Sequence, residues 1–263
     1  MIIQPLARGL RVPLVHGSGA APPPPAPSLY ALALAEGADH LFNFSTLDGA
    51  EEDDKGAAPG NPFTLLFGAG YASSDVPGCL GAVQVPDGFQ DRAYVDAPDG
   101  LWNFDADRTH EMVLRFTSNL ATDRCLYMSG RYYNTAGMLQ ITGVTGNDRM
   151  AFQQSGWATL APWNEVGKGG DGGMAVDLWL YVAMRYVHGV GLVVSSAVQG
   201  GARVDTATLS FAGAASALVR IYVGGNFDNI YPADDMECHH LAVYPAVLDD
   251  DQVDARLALL GLS

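Results

Sequence analysis

Between residues 178 and 187 the chain reads LWLYVAMRYV, with side chains that divide at alternate positions. Leu178, Leu180, Val182, Met184 and Tyr186 take one side, and Trp179, Tyr181, Ala183 and Arg185 the other. A period of two is that of a β-strand, and the first of these faces is core. Comparable runs occur at EMVLRFT (111–117), GMLQITGV (137–144), RMAFQQ (149–154) and GLVVSSAV (191–198), and again at ATLSFA (207–212), LVRIYVGG (218–225) and HHLAVYP (239–245). Clusters of Gly, Asp, Asn and Pro separate them, which predicts many short strands in a sandwich or barrel. Neighbours are expected to pair antiparallel through tight turns such as HGVG at 188–191.

A helical pattern is confined to two places. SLYALALAEG (28–37) offers Ser28 as an N-cap and Gly37 as a stop. LDDDQVDARLALLG (248–261) offers Asp249 as cap with Gln252 three residues on, then Val253, Leu257 and Leu260 on one face before Gly261. So brief a helix is expected on the rim of the sandwich. The division of the chain is therefore an arm at 1–27 and one all-β domain at 28–263.

The arm has its own pattern. PLARG at 5–9 recurs as PLVHG at 13–17, and Ile2, Ile3, Leu6, Leu10 and Leu14 are apolar side chains that so short a segment cannot bury alone. Arg8 and Arg11 make it basic. Pro22 to Pro25 and Pro27 favour polyproline II, a semi-rigid spacer. Pro5, Arg8, Gly9, Arg11 and Pro13 interrupt every apolar run that could serve as a secretory signal. The arm is expected to be an attachment device whose apolar and basic side chains dock on another subunit.

Charge sharpens this picture. The whole chain carries a formal charge of -15, and the arm holds no acid, so the body is more negative still. Such a surface repels phosphate backbones and argues against nucleic acid as a partner. No apolar run reaches the ~18 residues that would span a bilayer. Cys79, Cys125 and Cys238 are widely spaced without a CxxC pair, the pattern of free thiols in a reducing cytosol.

The ordered set of segments resembles laminin-G-like, concanavalin A-like jelly-roll domains. SLYALALAEGADHLFNFSTLDG is similar to their opening helical turn, aromatic strand and glycine turn, and GAVQVPDGFQDRAYVDAPDG (81–100) to the segment leading into the next core strand. LWLYVAMRYVHGVGLVVSSAV resembles their paired strands, LVRIYVGGNF their strand ending in two glycines, and HHLAVYPAVLDDDQVDARLALLG their terminal strand and capped helix. The resemblance implies an antiparallel β-sandwich jelly roll with short helices at its ends and an extended N-terminal arm. The arm resembles the anchors of tailed-bacteriophage virion proteins. That likeness implies a capsid decoration protein or tail-associated adhesin, made in the host bacterial cytoplasm and attached to other virion subunits through residues 1–27. A homo-oligomer is expected, with a trimer as the form that virion symmetry suggests.

Candidate chemistry follows. Hydrolases of this architecture resemble one another in a strand bearing Glu-x-Asp-x-Glu or Glu-x-Asp-x-x-Glu. No such string is present, Glu237 is the only comparable strand acid, and the chain is expected not to be an enzyme. No GxSxG elbow marks a nucleophilic serine. No cofactor is expected to be required. Calcium is the ion that two acid-rich stretches could gather: Asp48, Glu51, Glu52, Asp53 and Asp54, which otherwise read as a solvated charge run, and Asp87, Asp91, Asp96 and Asp99. Cys238, His239 and His240 have metal-ligand chemistry, but adjacent histidines on a regular strand face opposite ways. Glycan binding is the alternative function. Its candidates are Tyr132, Tyr133 and Asn134 after one strand, and Trp157, Trp163 and Asn164 in a Gly-rich loop at 155–173, where rings can stack on sugars and amides can bind hydroxyls.

Overall fold

The structure, a computed structural model, describes residues 27–45, 51–66, 68–86, 92–96, 106–117, 124–129, 139–144, 149–154, 158–163, 177–206, 208, 220–224 and 236–262. The chain begins there with helix α1 (Leu29–Ala35), then strands β1 (His40–Phe42), β2 (Glu51–Glu52), β3 (Phe63–Leu66), β4 (Gly70–Ser73), β5 (Gly81–Val85) and β6 (Arg92–Asp96). The middle holds β7 (Arg108–Phe116), β8 (Arg124–Ser129), β9 (Leu139–Val144), β10 (Arg149–Gln154) and β11 (Ala158–Trp163). Then come β12 (Trp179–Val187), β13 (Gly191–Val198), β14 (Val204–Asp205), β15 (Arg220–Val223), β16 (Met236–Tyr244) and helix α2 (Asp250–Leu259).

Two antiparallel sheets result. One runs β14-β13-β12-β7-β16-β5-β4 with β1 also on β16, and the other runs β11-β10-β9-β8-β15-β6-β3-β2. The first sheet has two buried faces. Met112, Leu114, Leu180, Val182, Met184, Leu241 and Val243 pack inward against Phe63, Ile221 and Val223 of the second sheet. Val113, Tyr181, Ala183, Ala242 and Tyr244 face the other way and are covered by Leu29, Ala33, Val253 and Leu257 from the helices. Each fully buried side chain of this size contributes about 1.5–3 kcal/mol, so the covering layer belongs to the core. The C-terminal helix therefore lies over a sheet face. Its placement on the rim is corrected by the small outward residues Ala183, Ala197 and Ala242, which leave room for it.

Local signals behave as the sequence predicts at the helices. Ser28 Oγ accepts from Ala31 N, and Asp249 and Gln252 form a reciprocal capping box. The HGVG segment closes the β12–β13 hairpin in register Val187 to Gly191. Gly81 meets a different demand. A Cβ there would stand 1.7 Å from the Phe44 carbonyl oxygen, so only glycine lets β5 run beside the turn at Phe44.

Two expectations change and a third lies outside the described residues. Residues 158–163, read as part of a loop, form β11 and pair with β10. The run at 207–212 lies outside the described residues apart from Thr208. The charge run at 51–54 is not solvated throughout: Glu52 and Asp54 are buried, while Glu51 and Asp53 are exposed. Glu52 pairs with Lys55. Asp54 accepts from Leu41 N, Gly56 N and Gly60 N and from His40 Nδ1, the last at 2.5 Å. Burial pushes its carboxyl up, and those four donors bring it below the usual carboxylate range. It holds the 54–60 loop against β1, which is a structural duty.

Candidate functional site

The outward face of the first sheet carries polar residues where the two helices leave it uncovered. On β7, Glu111, Val113 and Arg115 share that face at intervals of two. On β16, the register slips between Cys238 and His240, a β-bulge opposite Leu114 and Val113 of β7. The extra residue alters the alternation. His239 reaches Ser74 and Glu237, while His240 Nε2 lies 3.8 Å from Glu111 Oε2. Both histidines thus serve the outward face, which corrects the opposite-face reading that holds for an unbroken strand. They go to different acids, and among the described residues no group of three or more His, Cys, Asp or Glu is arranged to hold a metal ion.

Arg115 is the hub of the exposed part. Its Nε donates to Glu237 Oε2 at 2.6 Å, and its Nη1 donates to both oxygens of Asp75 at 2.8 and 3.0 Å. One guanidinium therefore joins two carboxylates from distant segments in the planar geometry that arginine favours. Glu237 also accepts from Gln84 Nε2 at 2.8 Å and faces His239 Nε2 at 3.2 Å. Burial pushes its carboxyl up, but His239, Gln84 and Arg115 overcome that and leave it at about 2. Glu237 is thus an ionised acceptor, not a proton donor, near neutral pH.

That charge fixes the rest of the network. An ionised Glu237 asks His239 to carry its proton on Nε2, which leaves Nδ1 to accept from Ser74 Oγ at 2.8 Å. Ser74 Oγ in turn accepts from Val76 N at 3.1 Å. Ser74, His239 and Glu237 follow one another as in a nucleophile relay. Here the serine oxygen is occupied by a backbone N–H and the acid is neutralised by arginine, so the contacts clamp the 74–80 segment to the sheet.

Beside this cluster, where β5 and β7 finish and β16 starts, lies an open pocket of about 210 Å³. Gln84, Thr117 and Glu237 supply polar lining, and Val85, Pro86 and Met236 supply apolar lining. Polar and apolar lining are about equal here, and convergent polar groups beside apolar surface are what a small-ligand site requires. Its volume is below the ~300–1,000 Å³ of sites for drug-sized ligands, so it suits one ring or one residue of a longer chain.

A second polar cluster is sealed beneath α2. Arg256 donates through Nη2 to Glu36 Oε2 at 2.6 Å and to Tyr244 Oη at 2.9 Å, and its Nε lies 2.9 Å from Glu111 Oε1. Tyr244 Oη donates to Glu111 Oε2. Burial pushes Glu111 up, while Arg256, His240 and Tyr244 overcome it and leave the carboxyl at about 2. With Arg256 and Glu111 each only 1% exposed, this cluster fastens α2 and is closed to ligands. Cys238 is also buried, its thiol pushed up to about 12 by burial, so it is inert as a nucleophile.

The predicted glycan residues Tyr132, Tyr133, Asn134, Trp157 and Asn164 lie outside the described residues. Trp163 ends β11, on a strand and not in a loop, and pairs with Met150. The arm residues Ile2, Ile3, Leu6, Arg8, Leu10, Arg11 and Leu14 lie outside the described residues, as do Asp48, Asp87, Asp91 and Asp99. Glu237 was legible as an unusual strand acid. Gln84, Arg115 and Thr117 were missed. Arg115 could have been found from its outward place in EMVLRFT, whereas the strand ends that form the pocket carry no local signal.

No known family and no curated protein sequence matches the chain. Solved structures do. A sialidase of Trypanosoma rangeli in complex with sialic acid superposes with a TM-score of 0.55 at 10% identity, covering 82% of this chain and 32% of that one. The binding domain of botulinum neurotoxin serotype D gives 0.59 at 8% identity, covering 87% of this chain and 53% of its own. The receptor binding domain of a botulinum neurotoxin C/D mosaic gives 0.57 at 7%, covering 86% and 51%.

The fold is an all-β antiparallel sandwich, an architecture shared with these structures. At such identities the likeness establishes architecture alone, and the chain spans about a third of the sialidase and about half of each binding-domain structure. The expectation of a chain that is not an enzyme is overturned here. An enzyme shares this sandwich across 82% of the chain, so the architecture excludes no catalysis.

Proposed function

We propose that the sandwich is a carbohydrate-recognition module, carried by its N-terminal arm as the adhesin or decoration protein of a tailed-bacteriophage particle. The observation that carries the recognition role is the pocket beside Glu237, Gln84 and Thr117, on a fold that this chain has in common with structures named as binding and receptor binding domains. Support for the attachment role comes from the arm, basic and apolar where the body is acidic. Oligomerisation as a trimer would multiply a weak single-site affinity through avidity.

Two measurements test this reading. Saturable binding on an array of bacterial surface glycans is the expected result for the full chain, and silence across the array would overturn recognition. Trp157→Ala and Tyr133→Ala determine whether the aromatic segments contribute to binding, a loss of about 1–3 kcal/mol per ring being expected if they stack on the sugar. Deletion of residues 1–27 is expected to abolish incorporation into particles while leaving the thermal unfolding of the sandwich unchanged. Normal incorporation of the truncated chain would overturn attachment.

A further inference from the structure

We infer that the pocket between β5, β7 and β16 selects uncharged or amino-bearing sugars and rejects acidic ones. The inference rests on the recognition reading above and specifies the class of sugar. It begins with the lining: Gln84, Thr117 and Glu237 around Val85, Pro86 and Met236, with no basic side chain in it among the described residues. A sugar carboxylate entering this space meets a carboxylate already there.

The guanidinium bonded to Glu237, that of Arg115, cannot compensate. Arg115 is held between Asp75 and Glu237, with Nε and Nη2 on Glu237 and Nη1 shared between both oxygens of Asp75. Freeing it for a ligand would strip the charge partner from Glu237, itself only 7% exposed. Removing one member of a desolvated pair is costly because it leaves the other uncompensated. The Arg115, Asp75 and Glu237 unit keeps one excess negative charge, and the formal charge of the chain is -15, so the long-range field opposes anions as well.

What the pocket offers instead is acceptor capacity. Glu237 Oε1 accepts one hydrogen bond from Gln84 and retains a second lone pair, whereas Oε2 is taken by Arg115 and faces His239. The Gln84 amide is exposed and, beyond its bond to Glu237, brings a carbonyl oxygen and a further N–H. An acceptor and an amide side by side match two neighbouring hydroxyls of a pyranose, or one hydroxyl and an ammonium. Pro86, exposed above the buried Val85 and Met236, provides the apolar surface that the C–H face of a ring can cover. Arg115 is a positioning residue that keeps Glu237 ionised and aimed.

The test uses the full chain on an array with neutral, amino-bearing and acidic glycans, the last including sialosides and uronic acids. Binding to neutral or amino-bearing glycans is expected, with acidic glycans at background. Gln84→Ala and Thr117→Val should weaken that binding about 10- to 100-fold, the worth of one or two lost hydrogen bonds to or beside a charged group. Gln84→Lys, which adds a cation at the rim, should raise the acidic glycans above background. Since Gln84 and Thr117 are exposed, these variants are expected to fold, and unchanged thermal unfolding checks it. Strong wild-type binding to acidic glycans overturns the inference while leaving recognition intact. Neutral-glycan binding that ignores both Gln84→Ala and Thr117→Val overturns this pocket as the site. No binding to any glycan overturns the recognition reading as well.

Discussion

Arg256→Ala is expected to lower the unfolding free energy by about 3–5 kcal/mol, the range for removing one partner of a buried ion pair. The guanidinium touches Glu111, Glu36 and Tyr244 at once, so its loss leaves Glu111 ionised in a site with 1% exposure and without its main counter-charge. Urea unfolding at pH 7 should show a lower midpoint with an unchanged slope. The paired replacement of Glu111→Leu with Arg256→Met removes both charges and fills similar volume. It is expected to recover most of the loss, because desolvating an ion pair costs about as much as its attraction returns. A loss below ~1 kcal/mol for Arg256→Ala alone would show that α2 is held by its apolar face without help from this network.

Acid is expected to unfold the protein from two directions. Glu111 and Glu237 both titrate at about 2 in the folded protein, against ~4.3 for a free glutamate, so their stabilisation is complete above ~4.3 and disappears as the pH falls toward 2. His110 acts through the opposite charge. Burial, with the nearby charges of Arg108 and His40, holds its ring neutral down to about 3, whereas the unfolded chain takes up a proton below ~6.5. Between those values the unfolded state binds more protons, so stability falls as the pH is lowered. Each tenfold difference in proton affinity is worth about 1.4 kcal/mol. Denaturant unfolding followed from pH 8 to pH 3 should therefore be flat near the top, decline from about 6.5 and steepen below about 4.3. His110→Phe should flatten the upper part and leave the lower. A wild-type profile level from pH 7 to pH 5 would contradict a buried neutral His110.

What was legible in the sequence follows from the range of the interactions involved. The alternation of LWLYVAMRYV gave β12 and its inward face, and the caps at Ser28 and Asp249 gave both helices, because those signals lie within one element. Its outward residues Tyr181 and Ala183 looked like a second, lesser face. They are buried because α2, distant in sequence, covers them. The bulge in β16 was hidden for a related reason: nothing in CHHL marks an extra residue, and the slip exists only relative to β7. The pocket is less local again, since residues 84–86, 117 and 236–237 meet only when three strand ends are aligned. Glu52 and Asp54 were lost in an acidic run whose alternate members turn inward.

The meeting of α1 and α2 over one sheet has a mechanical consequence. Leu29 and Leu262 belong to the same apolar cluster, and Glu36 is tied to Arg256, so the strand of polypeptide arriving at Ser28 and the one departing after Leu262 share one side of the body. Tension applied at Ser28 would act on this α1–α2 patch, through Leu29 N on the Gly78 carbonyl and Glu36 on Arg256, so the two ends of the body are braced by one set of contacts.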